Sequence, residues 1–215
     1  AYYSKIKVAH LEAGLRTWDI FSPFPEELNR QIVSLIADLH FAPTKMAKEM
    51  LITQNIPEEK ISIVGNSVID ALIEILPIAR QQDFPKNLID KLPFISEPQS
   101  DDIILVTSHR RENFGKGLES ICKALRKLSI IRNDIKIIFS VHLNPKVRSI
   151  VLNKLIDVEN VFLIDPQKYT TFIKLMDISH IILSDSGGIQ EEAPTLSKPA
   201  LIIKSRYPRY GLPQD

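Results

Sequence analysis

Four short stretches of this sequence place acids, bases and glycines where an apolar run gives way to a loop. In His10-Leu11-Glu12-Ala13-Gly14-Leu15-Arg16-Thr17, Glu12 directly follows such a run. Ligands of open α/β sheets collect beyond the carboxyl ends of the strands, so an acid there faces a cleft; a solvated loop carboxylate would read the same way. A second group is Ser22-Pro23-Phe24-Pro25-Glu26-Glu27-Leu28-Asn29-Arg30. Proline at a helix start with acids in the first turn is ordinary helix-opening chemistry. Local sequence therefore leaves Glu26 and Glu27 open between that duty and acid–base work.

The third group is Thr107-Ser108-His109-Arg110-Arg111-Glu112-Asn113-Phe114-Gly115-Lys116-Gly117. A strand end, a basic loop with glycine and a helix N-terminus together favour an anion, because free backbone N–H groups and the helix dipole point at it. His109 could act there as general acid or base, or donate to a phosphate oxygen. The fourth group, Ser184-Asp185-Ser186-Gly187-Gly188-Ile189-Gln190-Glu191-Glu192-Ala193-Pro194, repeats the arrangement. Its glycines let backbone approach a phosphate, and a carboxylate one turn further can accept from a ribose diol. A plain helix cap with exposed glutamates would also explain it. Pairing with the His109 loop favours a nucleotide-sugar diphosphate, with Asp165-Pro166-Gln167 and Phe172 as candidates for base contacts.

The elements that must carry these groups alternate. Short β-branched runs predict strands at 6–10, 61–64, 103–107, 135–141, 161–164, 181–184 and 200–203. Amphipathic stretches predict helices near 25–39, 45–54, 68–80, 118–132, 145–155, 169–176 and 189–196. Alternation of this kind implies βαβ units and a parallel sheet. Continuous apolar runs such as Ile137-Ile138-Phe139 suit strands covered on both faces. The stretch 81–102, with Pro85, Pro93 and Pro98, reads as a connector. Two strands precede it and five follow. The expectation is an α/β protein of two Rossmann-like domains, the first incomplete: 1–66 the remainder of an N-terminal domain, 67–215 a nucleotide-binding domain.

Composition narrows the function classes. With 27 basic and 26 acidic residues among 215, no charge asymmetry points to nucleic acid or an anionic membrane. One cysteine, Cys122, excludes a disulfide framework, fits a reducing cytoplasm and reads as a buried thiol. No apolar run is long enough to span a bilayer.

Taken in order, HLEAGLRT, SPFPEELNR, GNSVIDAL, SHRRENFG, VHLNP, DPQKY and DSGGIQEEAP resemble the non-hydrolysing UDP-N-acetylglucosamine 2-epimerases almost throughout the chain. That resemblance implies two Rossmann-like domains of the GT-B type, no metal or redox cofactor, a cytoplasmic homodimer, and reversible interconversion of UDP-GlcNAc and UDP-ManNAc for cell-surface polysaccharide synthesis. The C2 proton of the sugar is only weakly acidic, so direct abstraction would be slow. The implied route eliminates UDP across C1–C2 to a 2-acetamidoglucal and re-adds it with the proton delivered to the opposite face. By family match Glu12 and Glu26 are acid/base groups and His109 assists UDP departure or proton transfer. Gln167 and Phe172 would meet the uracil, Ser186 with Gly187 or Gly188 the phosphates, and Glu192 the ribose. Arg110 and His142 match positions tied to a second, regulatory UDP-GlcNAc site; Arg110 also stands with the substrate-binding set.

The ends depart from the family pattern. A catalytic Asp and a basic residue of the family's first half-domain would precede Ala1. Lys204–Asp215 does not match the family's closing segment, although Arg209 stands where a phosphate-contacting arginine is wanted. The sequence therefore reads as a truncated and inactive piece. Competing readings are a GT-B glycosyltransferase, which would share fold and nucleotide site, and a non-catalytic UDP-sugar-binding remnant.

Overall fold

The structure is a computed structural model and describes residues 1–96, 102–108 and 115–203. The chain divides into two compact units, Ala1–Ser67 and Val68–Ser205.

The first unit holds three parallel strands, β1 (Ala9–Leu11), β2 (Leu39–Ala42) and β3 (Ile61–Ile63), in that spatial order. Helices α1 (Glu26–Ile36) and α2 (Lys45–Thr53) connect them. Two strands were expected here and three are found, because the predicted helix over 25–39 stops at Ile36. Ile32, Leu35, Ile36 and Leu39 keep helical spacing, but Ala37 turns extended (φ −78, ψ 138), and the Asp38 carboxylate accepts from the Val8 backbone N–H at 2.9 Å. The first strand likewise begins at Ala9, not Ile6. Thr44 caps α2 by accepting from the Ala47 N–H at 3.1 Å, satisfying one of the helix's free donors. The core is small: Ala13, Leu15, Ala42, Ala47, Leu51 and Ile61. Leu28, Ile32 and Leu35 form an apolar stripe along α1 that is exposed.

In the second unit, β4 (Ile103–Ser108), β5 (Lys136–Val141), β6 (Val161–Ile164), β7 (Ile181–Ser184) and β8 (Ala200–Ile202) form a parallel sheet ordered β6-β5-β4-β7-β8. Strand side chains alternate between faces, and here both faces are apolar. Ile103, Leu105 and Ile138 join one core, with residues of α3 (Ser67–Gln81), α7 (Tyr169–Ile178) and α8 (Ile189–Thr195). Val106, Ile137, Phe139 and Val141 join the other, with α5 (Lys116–Ile131) and α6 (Pro145–Leu155). A sheet covered on both sides has continuous apolar strands for this reason. The presumed connector is part of the fold. Its one-turn helix α4 (Lys86–Ile89) and the 3-10 turn Pro93–Ser96 bury Leu88, Leu92 and Ile95 in the first of these cores. Arg80 on α3 donates through two nitrogens to Asp177 on α7, at 2.8 and 2.7 Å, tying the helix to this unit. Asn160, ahead of β6, donates from one amide nitrogen towards the carbonyls of Ile135, Arg132 and Ser129 at 3.1, 3.2 and 3.5 Å.

Because β4 runs to β5 on one side and pairs β7 on the other, the strand order reverses between β4 and β7. That switch point opens a crevice at the carboxyl ends of the strands. Among the described residues no helix is long and apolar enough to cross a membrane.

Candidate functional site

The two glutamates that begin α1 have opposite fates. Glu27 is fully buried. Its Oε2 accepts from the Thr17 N–H at 3.0 Å, and its Oε1 from the Trp18 N–H at 3.3 Å and the Gln31 amide at 2.9 Å. This carboxylate is occupied in pinning the loop after β1 to the helix. Glu26 beside it is exposed, and no hydrogen bond or ion pair of its side chain is found among the described residues. Glu12 is also exposed and follows β1 at once, in left-handed backbone (φ 60). Such a conformation in a residue other than glycine carries about 1–3 kcal/mol of strain and tends to occur at functional positions. The turn is held by Ala13, whose N–H donates to the Phe41 carbonyl at 3.0 Å. At Gly14 (φ 89) a Cβ would stand 2.1 Å from the Ala47 carbonyl oxygen, so only glycine lets this turn lie on α2.

Arg16 is 1% exposed and engaged through all three of its side-chain nitrogens. Its guanidinium donates to Gln54 Oε1 at 3.0 and 2.6 Å, to Ser34 Oγ at 2.5 Å and to the Leu15 carbonyl at 2.8 Å. Burial lowers its pKa, and the nearby Glu27 carboxylate opposes that shift. Behind Glu12, His10 and His40 face each other across β1 and β2, ring centroids 6.2 Å apart. Nδ1 of His10 and both nitrogens of His40 are buried without a hydrogen bond of ordinary geometry. Burial first, then the charges of His40, Arg16 and Arg30, push the His10 pKa down to about 4. Burial lowers that of His40 as well, against a weaker pull from the backbone of Ala37.

In the second unit the groups gather at the carboxyl ends of the strands. Gln167, Phe172 and His142 line one cavity of about 230 Å³ with Thr107, Ser108, Ser140 and Pro166. Residues expected to serve a base and a regulatory site thus share one wall. Gln167 donates to the Asp165 carbonyl at 2.7 Å. His142 Nδ1 accepts from the Asn144 N–H at 3.1 Å, which leaves the ring's proton on Nε2. At the switch point Ser108 Oγ donates to Asp185 Oδ2 at 2.8 Å, both residues no more than 2% exposed.

After β7, the Ser186 N–H donates to Ser184 Oγ at 2.9 Å, fixing the loop. Gly187 is buried, and Gly188 is the N-cap of α8 with helical φ −62. A Cβ on Gly188 would meet only Glu192 Oε2 at 3.7 Å and Ser186 Oγ at 3.9 Å, ordinary contacts. Nothing in the described chain requires glycine there; a ligand approaching the backbone would. Glu192, one turn into α8, is 6% exposed, and its Oε1 accepts from the Tyr169 hydroxyl at 2.9 Å. Burial, then the bond to Glu192 and its charge, raise the Tyr169 pKa to about 12.

Sequence reasoning missed Tyr169 and the Ser108–Asp185 pair, whose partners lie 23 and 77 residues apart. His109, Arg110 and Arg209 lie outside the described residues. Cys122 is buried, and burial raises its pKa to about 11, so the thiol is a core residue.

Comparison with known proteins gives a consistent result. The family model described as UDP-N-acetylglucosamine 2-epimerase matches residues 1–212. The UDP-N-acetylglucosamine 2-epimerase of Salmonella typhimurium is 47% identical over 205 residues, 95% of this chain and 54% of that protein. The crystal structure of the Neisseria meningitidis UDP-GlcNAc 2-epimerase bound to UDP-GlcNAc superposes with a TM-score of 0.89 at 44% identity, covering 96% of this chain and 55% of that one. The Methanocaldococcus jannaschii UDP-GlcNAc 2-epimerase, solved with UDP-GlcNAc and UDP, gives 0.77 at 34%, covering 95% and 55%. The chain spans about half the length of the curated relatives it matches.

Proposed function

The chain belongs to the UDP-N-acetylglucosamine 2-epimerase family, and on that premise we propose that the complete protein interconverts UDP-GlcNAc and UDP-ManNAc. The observation that carries this reading is the buried carboxylate of Glu192, one turn beyond Ser186-Gly187-Gly188 at the carboxyl edge of a parallel sheet. Its Oε2 lies on the Gly188 side, where among the described residues a Cβ on Gly188 would make only ordinary contacts. A nucleoside diphosphate matches those features: phosphate beside glycine backbone, a ribose hydroxyl on the carboxylate, and uracil in the cavity of Gln167 and Phe172.

Reaction at C2 then needs a base on one face of the sugar and an acid on the other. Glu12 and Glu26 supply exposed carboxylates for which no hydrogen bond or ion pair is found among the described residues, while Glu27 is spent on structure. Cleavage of the C1–O bond sends an electron pair to UDP as the C2 proton leaves, giving the glucal. Return of UDP and delivery of a proton from the opposite face complete the inversion. Each group contributes roughly 10²–10⁴-fold as acid or base. The sequence is redox-neutral, and every proton taken is returned. His109 assists UDP departure in this scheme, Arg209 stands in for the family's phosphate-contacting arginine, and Arg110 belongs with the substrate-binding residues. The reading extends to a cytoplasmic homodimer serving cell-surface polysaccharide synthesis, with Arg110 and His142 at a regulatory UDP-GlcNAc site.

The test is to incubate the complete protein with UDP-GlcNAc in deuterated water and follow it by NMR. Deuterium at C2 together with UDP-ManNAc is the expected result. Transfer of the sugar to an acceptor with no exchange at C2 would replace epimerisation by glycosyl transfer.

A further inference from the structure

Glu192 is a long side chain whose terminal torsion is intrinsically broad, so burial alone does not say which way its two oxygens point. One contact settles it. Tyr169, the first residue of α7, donates its hydroxyl to Oε1 at 2.9 Å. Oε2 is left on the side of the loop, where it and Ser186 Oγ both lie within 4 Å of the point that a Cβ on Gly188 would occupy. Glu192 as a residue is 6% exposed while Tyr169 is 42% exposed, so the ring reaches inward from the surface to a buried side chain. We infer that Tyr169 is a positioning residue: by holding Oε1 it aims Oε2 at one ribose hydroxyl and sets the preference for a ribonucleotide over its deoxy analogues.

This inference rests on the reading that Glu192 meets the ribose and goes beyond it by naming what orients the carboxylate. Tyrosine suits the task because its hydroxyl stays protonated across the working pH range, burial and the carboxylate both opposing its ionisation. It therefore remains a donor to Oε1. A site built to hydrogen-bond a substrate hydroxyl rejects the analogue lacking it, because its own buried group is then left unpaired. That penalty requires a carboxylate unable to turn away. Without the Tyr169 hydroxyl, Glu192 can rotate, and the missing ribose hydroxyl matters less.

The experiment is calorimetric titration of the complete protein with UDP, 2′-deoxy-UDP and 3′-deoxy-UDP. Wild type, Tyr169→Phe, Glu192→Gln and the double variant are compared. Wild type should prefer UDP over at least one deoxy analogue. Tyr169→Phe should weaken UDP by about tenfold, the scale of one hydrogen bond to a charged group, and bring that preference close to unity. The double variant should bind no worse than Glu192→Gln, because both changes act through one carboxylate. Tyr169→Phe keeping the wild-type preference while Glu192→Gln loses it would overturn the inference and leave the ribose reading standing. No preference in wild type, or unchanged UDP binding in Glu192→Gln, would overturn the ribose reading and the inference with it.

Discussion

Glu26 and Glu27 differ by one position, and replacing each by glutamine should separate structure from chemistry. Glu27 is fully buried and accepts three hydrogen bonds, two of them from the backbone of Thr17 and Trp18. A glutamine keeps one oxygen and turns an NH₂ towards donors that need an acceptor. The loss of one hydrogen bond to a charged group costs about 1.5–3 kcal/mol. Arg16, 1% exposed, also loses the negative charge that offsets its burial. The total expected is about 2–4 kcal/mol, which moves a urea midpoint by roughly 1–2 M for an m-value of about 2 kcal/mol/M. Trp18 is the only tryptophan of the chain and sits in the loop that Glu27 holds, so its fluorescence reports this unit directly. Glu26→Gln should leave the midpoint within about 0.5 kcal/mol of wild type, as surface substitutions do, and slow C2 exchange in the complete protein by roughly 10²–10⁴-fold. Equal destabilisation by the two substitutions, or a wild-type midpoint in Glu27→Gln, would refute the division of labour.

Three further outcomes follow from the same geometry. The His10 and His40 pKa values lie below that of a free imidazole, so the unfolded chain takes up protons first as pH falls; stability is complete above about 6.5 and declines towards about 4. His40→Leu, which removes two buried nitrogens without a hydrogen bond of ordinary geometry among the described residues, should shrink that decline in Trp18-monitored midpoints between pH 7.5 and 5; an unchanged decline would exonerate His40. Gly14→Ala should cost about 3 kcal/mol or more, since it combines positive φ with a contact of 2.1 Å to backbone, and an unshifted midpoint would show that the turn yields. Gly188→Ala meets no such clash, so it should keep the wild-type midpoint yet weaken UDP about tenfold or more by filling the space beside the phosphates; undiminished UDP affinity would move the phosphates elsewhere.

Much of the scaffold was legible because parallel strands covered on both faces leave unbroken β-branched runs, as at Ile103–Ser108 and Ile181–Ser184. The strand Leu39–Ala42 was not, since Leu39 continues the helical spacing of Ile32, Leu35 and Ile36; what ends the helix is a bond from the distant Val8 backbone to Asp38. The single turn Lys86–Ile89 hid in a stretch where prolines and charge masked Leu88 and Leu92. The motifs located the candidate site, because loops at strand ends carry a readable mixture of glycine, acid and base. They could not apportion its members. Glu26 and Glu27 are the same side chain at adjacent positions, and only the folded loop of Thr17 and Trp18 decides which is consumed. Tyr169 stood within DPQKY without a role, because its partner Glu192 is fixed by the folded contact between α7 and α8 and not by spacing.

The strand order of the larger unit also sets a timetable for synthesis. β4 is the centre of its sheet, yet the two elements that flank it emerge at very different moments. β5 pairs Ile103 with Lys136, a short wait, whereas the Ile103 N–H finds the His180 ring 77 residues later, just ahead of β7. At elongation rates of about 5–20 residues per second, one edge of β4 stays open for roughly 4–15 s on the ribosome. During that interval Ile103, Leu105 and Val106, all fully enclosed in the finished sheet, belong to an unpaired strand of the kind that recruits neighbouring chains. Slowing translation between residues 110 and 180 should therefore lower the soluble yield of this protein, and a chaperone that shields extended apolar segments should restore it.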